Sequence, residues 1–93
     1  MTVREQLYYL IQHVKMGEYD ISTFADLYTN LVNIEMWKEE FTDLELAVFK
    51  ELNKYTCRFS QYEDDLKIPN AFFDANTVEK QIDIAIDKLD IKI

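Results

Sequence analysis

Ninety-three residues make one domain, 1–93, and leave no length for a second core. With 48% hydrophobic residues, six Tyr and six Phe, the chain is not composed like a disordered one, and its single Gly and single Pro argue against an all-β fold, whose tight turns draw on both. Eighteen acidic against ten basic residues give a formal charge of −8, which repels nucleic acid and anionic membrane surfaces at long range and favours a basic partner, although the same excess also serves plain solubility.

Four helical segments follow along the chain. Thr2-Val3-Arg4-Glu5 has the capping-box pattern, in which Thr2 caps and Glu5 reaches back. Val3, Leu7, Leu10, Ile11 and Val14 then recur with a helical period, and Gly17 ends the segment because it takes the left-handed conformation without penalty. A second helix starts at Asp20 or Ser22, either of which can cap, and carries Phe24, Leu27, Tyr28 and Leu31 on one face before fading over residues 34–37. Thr42-Asp43-Leu44-Glu45 is a second capping box, opening a helix with the stripe Leu44, Val48, Leu52, Tyr55 and Phe59. Lys54 and Arg58 sit near its C-terminus, where the helix dipole favours cations.

Residues 60–74 read as a loop, with Pro69 keeping Ile68 out of the helical region and Phe72 and Phe73 tucking it against the rest. The last helix begins near Asp74 or Asn76 and places Val78, Ile82, Ala85, Ile86, Leu89 and Ile93 on a face. Alternation of Ile82, Ile84 and Ile86, and of Leu89, Ile91 and Ile93, also suits a strand. Helix is preferred, since the cap is good and a lone strand would lack a partner. Short connections between amphipathic helices predict an all-α fold, a four-helix antiparallel up-down-up-down bundle. In that topology Glu18 and Asp20 approach Glu63, Asp64, Asp65 and Asp74 at one end, while Glu35, Glu39, Glu40 and Asp43 occupy the other, near Asp87 and Asp90.

The residues that carry chemistry elsewhere form no familiar constellation here. His13, the single histidine, has no nucleophile or paired carboxylate beside it in sequence and reads as a surface or boundary residue. Cys57, the single cysteine, cannot form an intramolecular disulfide and reads as a small semi-buried residue. There is no Glu-x-x-His pair and no glycine-rich phosphate loop, and Glu63-Asp64-Asp65 lacks the spacing and glycine of a calcium loop. The expectation is therefore no catalytic residue, no metal and no cofactor. Lys50, Lys54 and Arg58 form a short basic row that pairing with Glu51 explains. No apolar run reaches the ~20 residues of a membrane span, and the polar start lacks a signal-peptide pattern, so a cytoplasmic location with no membrane contact is expected.

Tyr62-Glu63-Asp64-Asp65 is the most informative short stretch: an aromatic beside three acids combines an anchor with electrostatic complementarity, where the plain alternative is a solvated loop. In order and spacing the chain resembles the colicin-D-like self-protective immunity proteins over about residues 7–89. The resemblance rests on Gly17-Glu18-Tyr19-Asp20-Ile21-Ser22-Thr23-Phe24, Phe41-Thr42-Asp43-Leu44-Glu45, Arg58-Phe59-Ser60-Gln61-Tyr62-Glu63-Asp64-Asp65, and Phe73-Asp74-Ala75-Asn76 followed by Val78, Ile82 and Leu89. It implies a small acidic bundle that binds a tRNA-cleaving toxin domain one to one and blocks its basic RNA-binding surface. Such a protein is a monomer when free and makes no direct contact with nucleic acid. The resemblance carries best to Glu63, Asp64 and Asp65; Cys57 and Ser60 stand where relatives carry acids, which suggests a different cognate toxin. The expected contact set is Glu18, Asp20, Tyr62, Glu63, Asp64 and Asp65. The alternative is a helical adaptor or oligomer subunit that binds through an apolar patch of Ile34, Met36, Trp37 and Phe41.

Overall fold

The computed structural model describes residues 2–36, 39–60, 62, 67 and 72–92. Its elements are α1 (Val3–Lys15), α2 (Ile21–Asn30) running into a π-helical turn (Leu31–Glu35), α3 (Asp43–Thr56) and α4 (Ala75–Leu89). The described residues are thus all-helical. Their one β-type contact is an isolated parallel bridge between Phe59 and Phe73. No helix among them is long and apolar enough to cross a membrane.

The helix boundaries follow local chemistry. Thr2 and Thr42 each accept from the backbone N–H three residues on, and Glu5 and Glu45 each accept from the cap's own N–H, completing both capping boxes. Asp20 and Asp74 cap α2 and α4 by accepting from the N–H of Thr23 (2.7 Å) and Thr77 (2.9 Å). Gly17 has φ +87, and the N–H groups of Gly17 and Glu18 donate back to the carbonyls of Val14 and His13, the paired bonds of a Schellman stop. Asp90, at φ 53, ends α4 in the same way, with Ile91 N–H donating to Ile86.

The core is centred on Leu7, Ile11, Phe24, Tyr28, Phe49, Leu52 and Val78, all fully buried. The expected stripe of α1 is buried in full. Burial raises the Tyr28 phenol well above its ordinary pKa, and the hydroxyl is satisfied by donating to the Phe49 carbonyl at 2.9 Å. Side-chain bonds tie the helices together. Tyr8 donates to Glu45 (2.8 Å), Thr29 to Thr56 (3.0 Å), Asn53 to Asn33 (3.2 Å) and Gln12 to the Lys92 carbonyl (3.2 Å).

Expectations fail at particular residues, and two helices stop short of their expected stripes: α3 ends at Thr56, before Phe59, and α4 ends at Leu89, while Ile93 lies outside the described residues. Leu44 is 53% exposed, and its place on the inner face of α3 goes to Glu45, which is 7% exposed. The stripe is rotated because Glu45 is the back-reaching member of the capping box and also receives Arg4 and Tyr8 from α1, so burial costs it no unsatisfied charge. Leu27 is exposed and Ala25 is buried instead, because α2 lies close enough to its neighbours for a small residue to fill the contact. Phe72 is at the surface; only Phe73 folds in, with its ring centroid 4.6 Å from that of Tyr55. Cys57 is exposed rather than semi-buried, since it follows the last turn of α3.

Candidate protein-binding surface

Two sets of described acids differ in what they already bond. Around the starts of α1 and α3 they serve the fold. The Glu39 carboxylate accepts from the N–H of Val3 (3.1 Å) and of Arg4 (2.8 Å), donors that the first turn of a helix leaves without partners. The Arg4 guanidinium donates to the Glu45 carboxylate (2.9 Å) and the Glu40 carbonyl (3.1 Å), and stands 5.5 Å from the Phe41 ring centroid. Burial pushes the Glu45 carboxyl pKa up, but hydrogen bonds from Thr42, Tyr8 and Arg4 outweigh it and hold the group below its ordinary value. On the other side of that bond, burial first, and then the Glu45 bond and charge, push the Tyr8 phenol up to about 12, with Arg4 opposing.

Where α1 finishes and α2 and α4 begin, the acids border a groove of about 690 Å³. Its floor is apolar, from Val14, Ile21, Phe59 and Ile82, and its polar lining includes Asp20, Glu79, Asp83 and Lys15. Asp20 is positioned by its role as the cap of α2, and the bonds from Thr23 hold its carboxyl below the ordinary aspartate value. Glu79 and Asp83 lie one helical turn apart on α4 and are both exposed. The Lys15 ammonium reaches Asp83 at 2.6 Å, but both side chains are about half exposed, so the pair is screened and weak. A groove with carboxylates above an apolar floor suits the long side chains of Lys or Arg, which bury an aliphatic stem and keep a charged head among acceptors.

The structure therefore places Asp20 in a groove, together with Glu79 and Asp83, which sequence reading passed over. Their signal was present as an i, i+4 acidic pair on the outer face of α4, but only folding sets it against Asp20. Glu18 lies in the adjoining turn, where its carboxylate pairs with the His13 imidazole, and His13 stacks on Tyr9 at 3.8 Å. Tyr62 is 65% exposed, and its N–H donates to the Ser60 hydroxyl at 3.2 Å. Ser60 is joined in turn to Phe73, since its N–H donates to the Phe73 carbonyl while Phe73 N–H donates to Arg58, so both ends of the long connection are held together beside Phe59. Glu63, Asp64 and Asp65 lie outside the described residues.

The described residues of the alternative apolar patch differ in exposure. Met36 is 6% exposed, and Phe41 is half-buried with its ring edge-on to Phe49; Trp37 lies outside the described residues. Ile34 is 57% exposed and lines a groove with Tyr9 and Leu27. Among the described residues no cluster of three or more His, Cys, Asp and Glu is placed to hold a metal ion. No protein-family model matches this chain, and comparisons with curated proteins and with solved structures returned no match.

Proposed function

We propose that this protein is an immunity protein: it binds a basic nuclease toxin domain one to one in the cytoplasm and blocks the surface that holds RNA phosphates. It acts by occupancy, without catalysis, cofactor or metal. The contact end comprises Glu18, Asp20, Tyr62, Glu63, Asp64 and Asp65, extended by Glu79 and Asp83. The observation that carries this reading is the groove in which Asp20, Glu79 and Asp83 stand over an apolar floor. Of its acids, Glu79 and Asp83 are exposed, Asp83 with a screened ion pair to Lys15, while Asp20 also caps α2. A ribonuclease surface is lined by Lys and Arg in order to hold RNA, and those side chains match such a groove in charge and shape.

The same reading takes the four helices as an antiparallel up-down-up-down bundle. In its support, Thr29 meets Thr56 while Asn33 meets Asn53, opposite directions along α2 and α3. Lys15 meets Asp83 while Gln12 meets Lys92, opposite directions along α1 and along α4 with the residues that follow it. That arrangement brings the α1–α2 turn and the long connection to one end of a stiff body.

The test is protection of tRNA from a basic nuclease domain encoded beside this chain's gene. One equivalent of the protein is expected to stop cleavage, with association slowing as salt rises. Replacing Asp20, Glu79 and Asp83 by Asn, Gln and Asn is expected to weaken the complex by at least about tenfold, or 1.4 kcal/mol, while Asp43→Asn with Asp87→Asn leaves it unchanged. Full cleavage in the presence of the protein, or equal losses from the two sets, refutes the reading.

A further inference from the structure

The groove of Asp20, Glu79 and Asp83 holds a cation of this chain's own. Among its described lining residues Lys15 is the single base, set against three carboxylates. Lys15 is the last residue of α1, and its ammonium crosses to α4 and donates to the Asp83 carboxylate at 2.6 Å. It lines the groove together with apolar Val14, Ile21 and Ile82. The side chain thus does within the molecule what the groove suits a partner's side chain to do, bringing an aliphatic stem to an apolar lining and a charged head to a carboxylate.

The fold does not depend on this pair. Val14 and Ile82 carry α1 and α4 into one buried core, whereas Lys15 and Asp83 are 47% and 55% exposed and add little to stability in water. Leaving Asp83 does not strand the ammonium, because Lys15 stays at the C-terminal end of α1, where the helix dipole favours a cation. An arriving ammonium replaces like by like and gains little. A guanidinium gains more: its planar fork engages two oxygens at once, and Glu79 stands one helical turn from Asp83, exposed on the same helix.

We propose that Lys15 is a resident competitor: in the free protein it holds Asp83 in the place of a partner's arginine, and it is displaced when that arginine enters. The inference rests on the groove as the contact surface proposed above, and it names arginine as the side chain that fills it. Lys15 thereby sets a threshold that a forked guanidinium passes and a stray ammonium of another protein does not.

Titration followed by amide NMR shifts tests this, with an end-blocked pentapeptide of alternating glycine and arginine as the probe and its lysine counterpart beside it. The arginine peptide is expected to bind the wild-type protein with Kd on the order of 1 mM, and the lysine peptide at least about threefold more weakly. Lys15→Met keeps the stem, removes the charge and is expected to tighten arginine-peptide binding about threefold. Lys50→Met, an equal change of charge at an exposed position of α3 outside the groove's lining, is expected to alter it less than about 1.5-fold. In an Asp83→Asn background the gain from Lys15→Met is expected to vanish, as coupling between the two residues requires. If Asp83→Asn weakens binding while Lys15→Met leaves it unchanged or weakens it, the groove stands and the competitor falls. Equal gains from Lys15→Met and Lys50→Met, or equal binding of the two peptides, also overturn the proposal, and a probe that binds neither the wild type nor Lys15→Met overturns it together with the groove. The nuclease reading is decided by tRNA protection, and its failure leaves these titrations unaffected.

Discussion

Glu39 and Glu45, around the starts of α1 and α3, contrast with Glu79 and Asp83, on the first half of α4. Both pairs count equally toward the charge of −8, yet the first pair is spent on the fold, accepting from helix N–H groups, a guanidinium and a phenol, while the second pair is exposed at a groove. Acidic composition therefore says little about where a basic partner docks. What matters is whether a carboxylate's acceptor capacity is already used inside the molecule, because a carboxylate bonded to its own chain must lose those bonds before it can serve another.

The contrast is open to four measurements, in falling order of expected effect. Glu45→Ala leaves Arg4 and Tyr8 without their shared acceptor and is expected to lower the unfolding free energy by about 3 kcal/mol, read by urea denaturation. Glu39→Ala removes a tertiary cap from α1 and is expected to cost about 1–2 kcal/mol in the same assay. Glu79→Gln with Asp83→Asn is expected to leave stability unchanged while slowing association with a basic partner; a stability loss matching that of Glu39→Ala would erase the distinction between the two regions.

The fourth measurement is stability against pH. The Glu45 carboxyl lies below its ordinary value of 4.5 in the folded protein, so its contribution is present above about pH 4.5 and is lost as pH falls through the folded value. For Tyr8 the folded pKa of about 12 exceeds the ordinary 10, so the folded state holds the phenolic proton more tightly and stability declines as pH rises from 10 to 12. Tyr8→Phe is expected to flatten the alkaline decline, and Glu45→Gln the acidic one, in denaturation midpoints followed across pH.

Much of the candidate site was legible residue by residue but not as an assembly. Asp20 reads in sequence as a contact acid and, with Ser22, as one of two candidate caps; in the fold it caps α2 and lines the groove. Glu79 and Asp83 were missed because nothing within α4 distinguishes two exposed acids from ordinary helix surface. Their meaning depends on Gly17 and Asp20, more than fifty residues away in the chain. Exposure in the apolar alternative was no more legible: Ile34 and Met36 are both apolar, yet Met36 is buried beside the π-turn and Ile34 is exposed, and Phe41 is half-buried edge-on to Phe49.

By itself the sequence determined closely where the helices lie: Thr2 and Thr42 cap two of them, Asp20 or Ser22 and Asp74 or Asn76 were the choices for the others, Gly17 stops the first, and each cap needs partners only three to five residues away. Tertiary structure alone decided how each helix is rotated and which acids remain available. Rotation of α3 toward Glu45 rather than Leu44 depends on Arg4 and Tyr8 arriving from α1, and the use of Glu39 depends on the start of α1 lying within reach. Local hydrogen bonds are encoded by neighbours in the chain, whereas the balance between burying a charge and satisfying it is set by residues that meet only when the chain has folded.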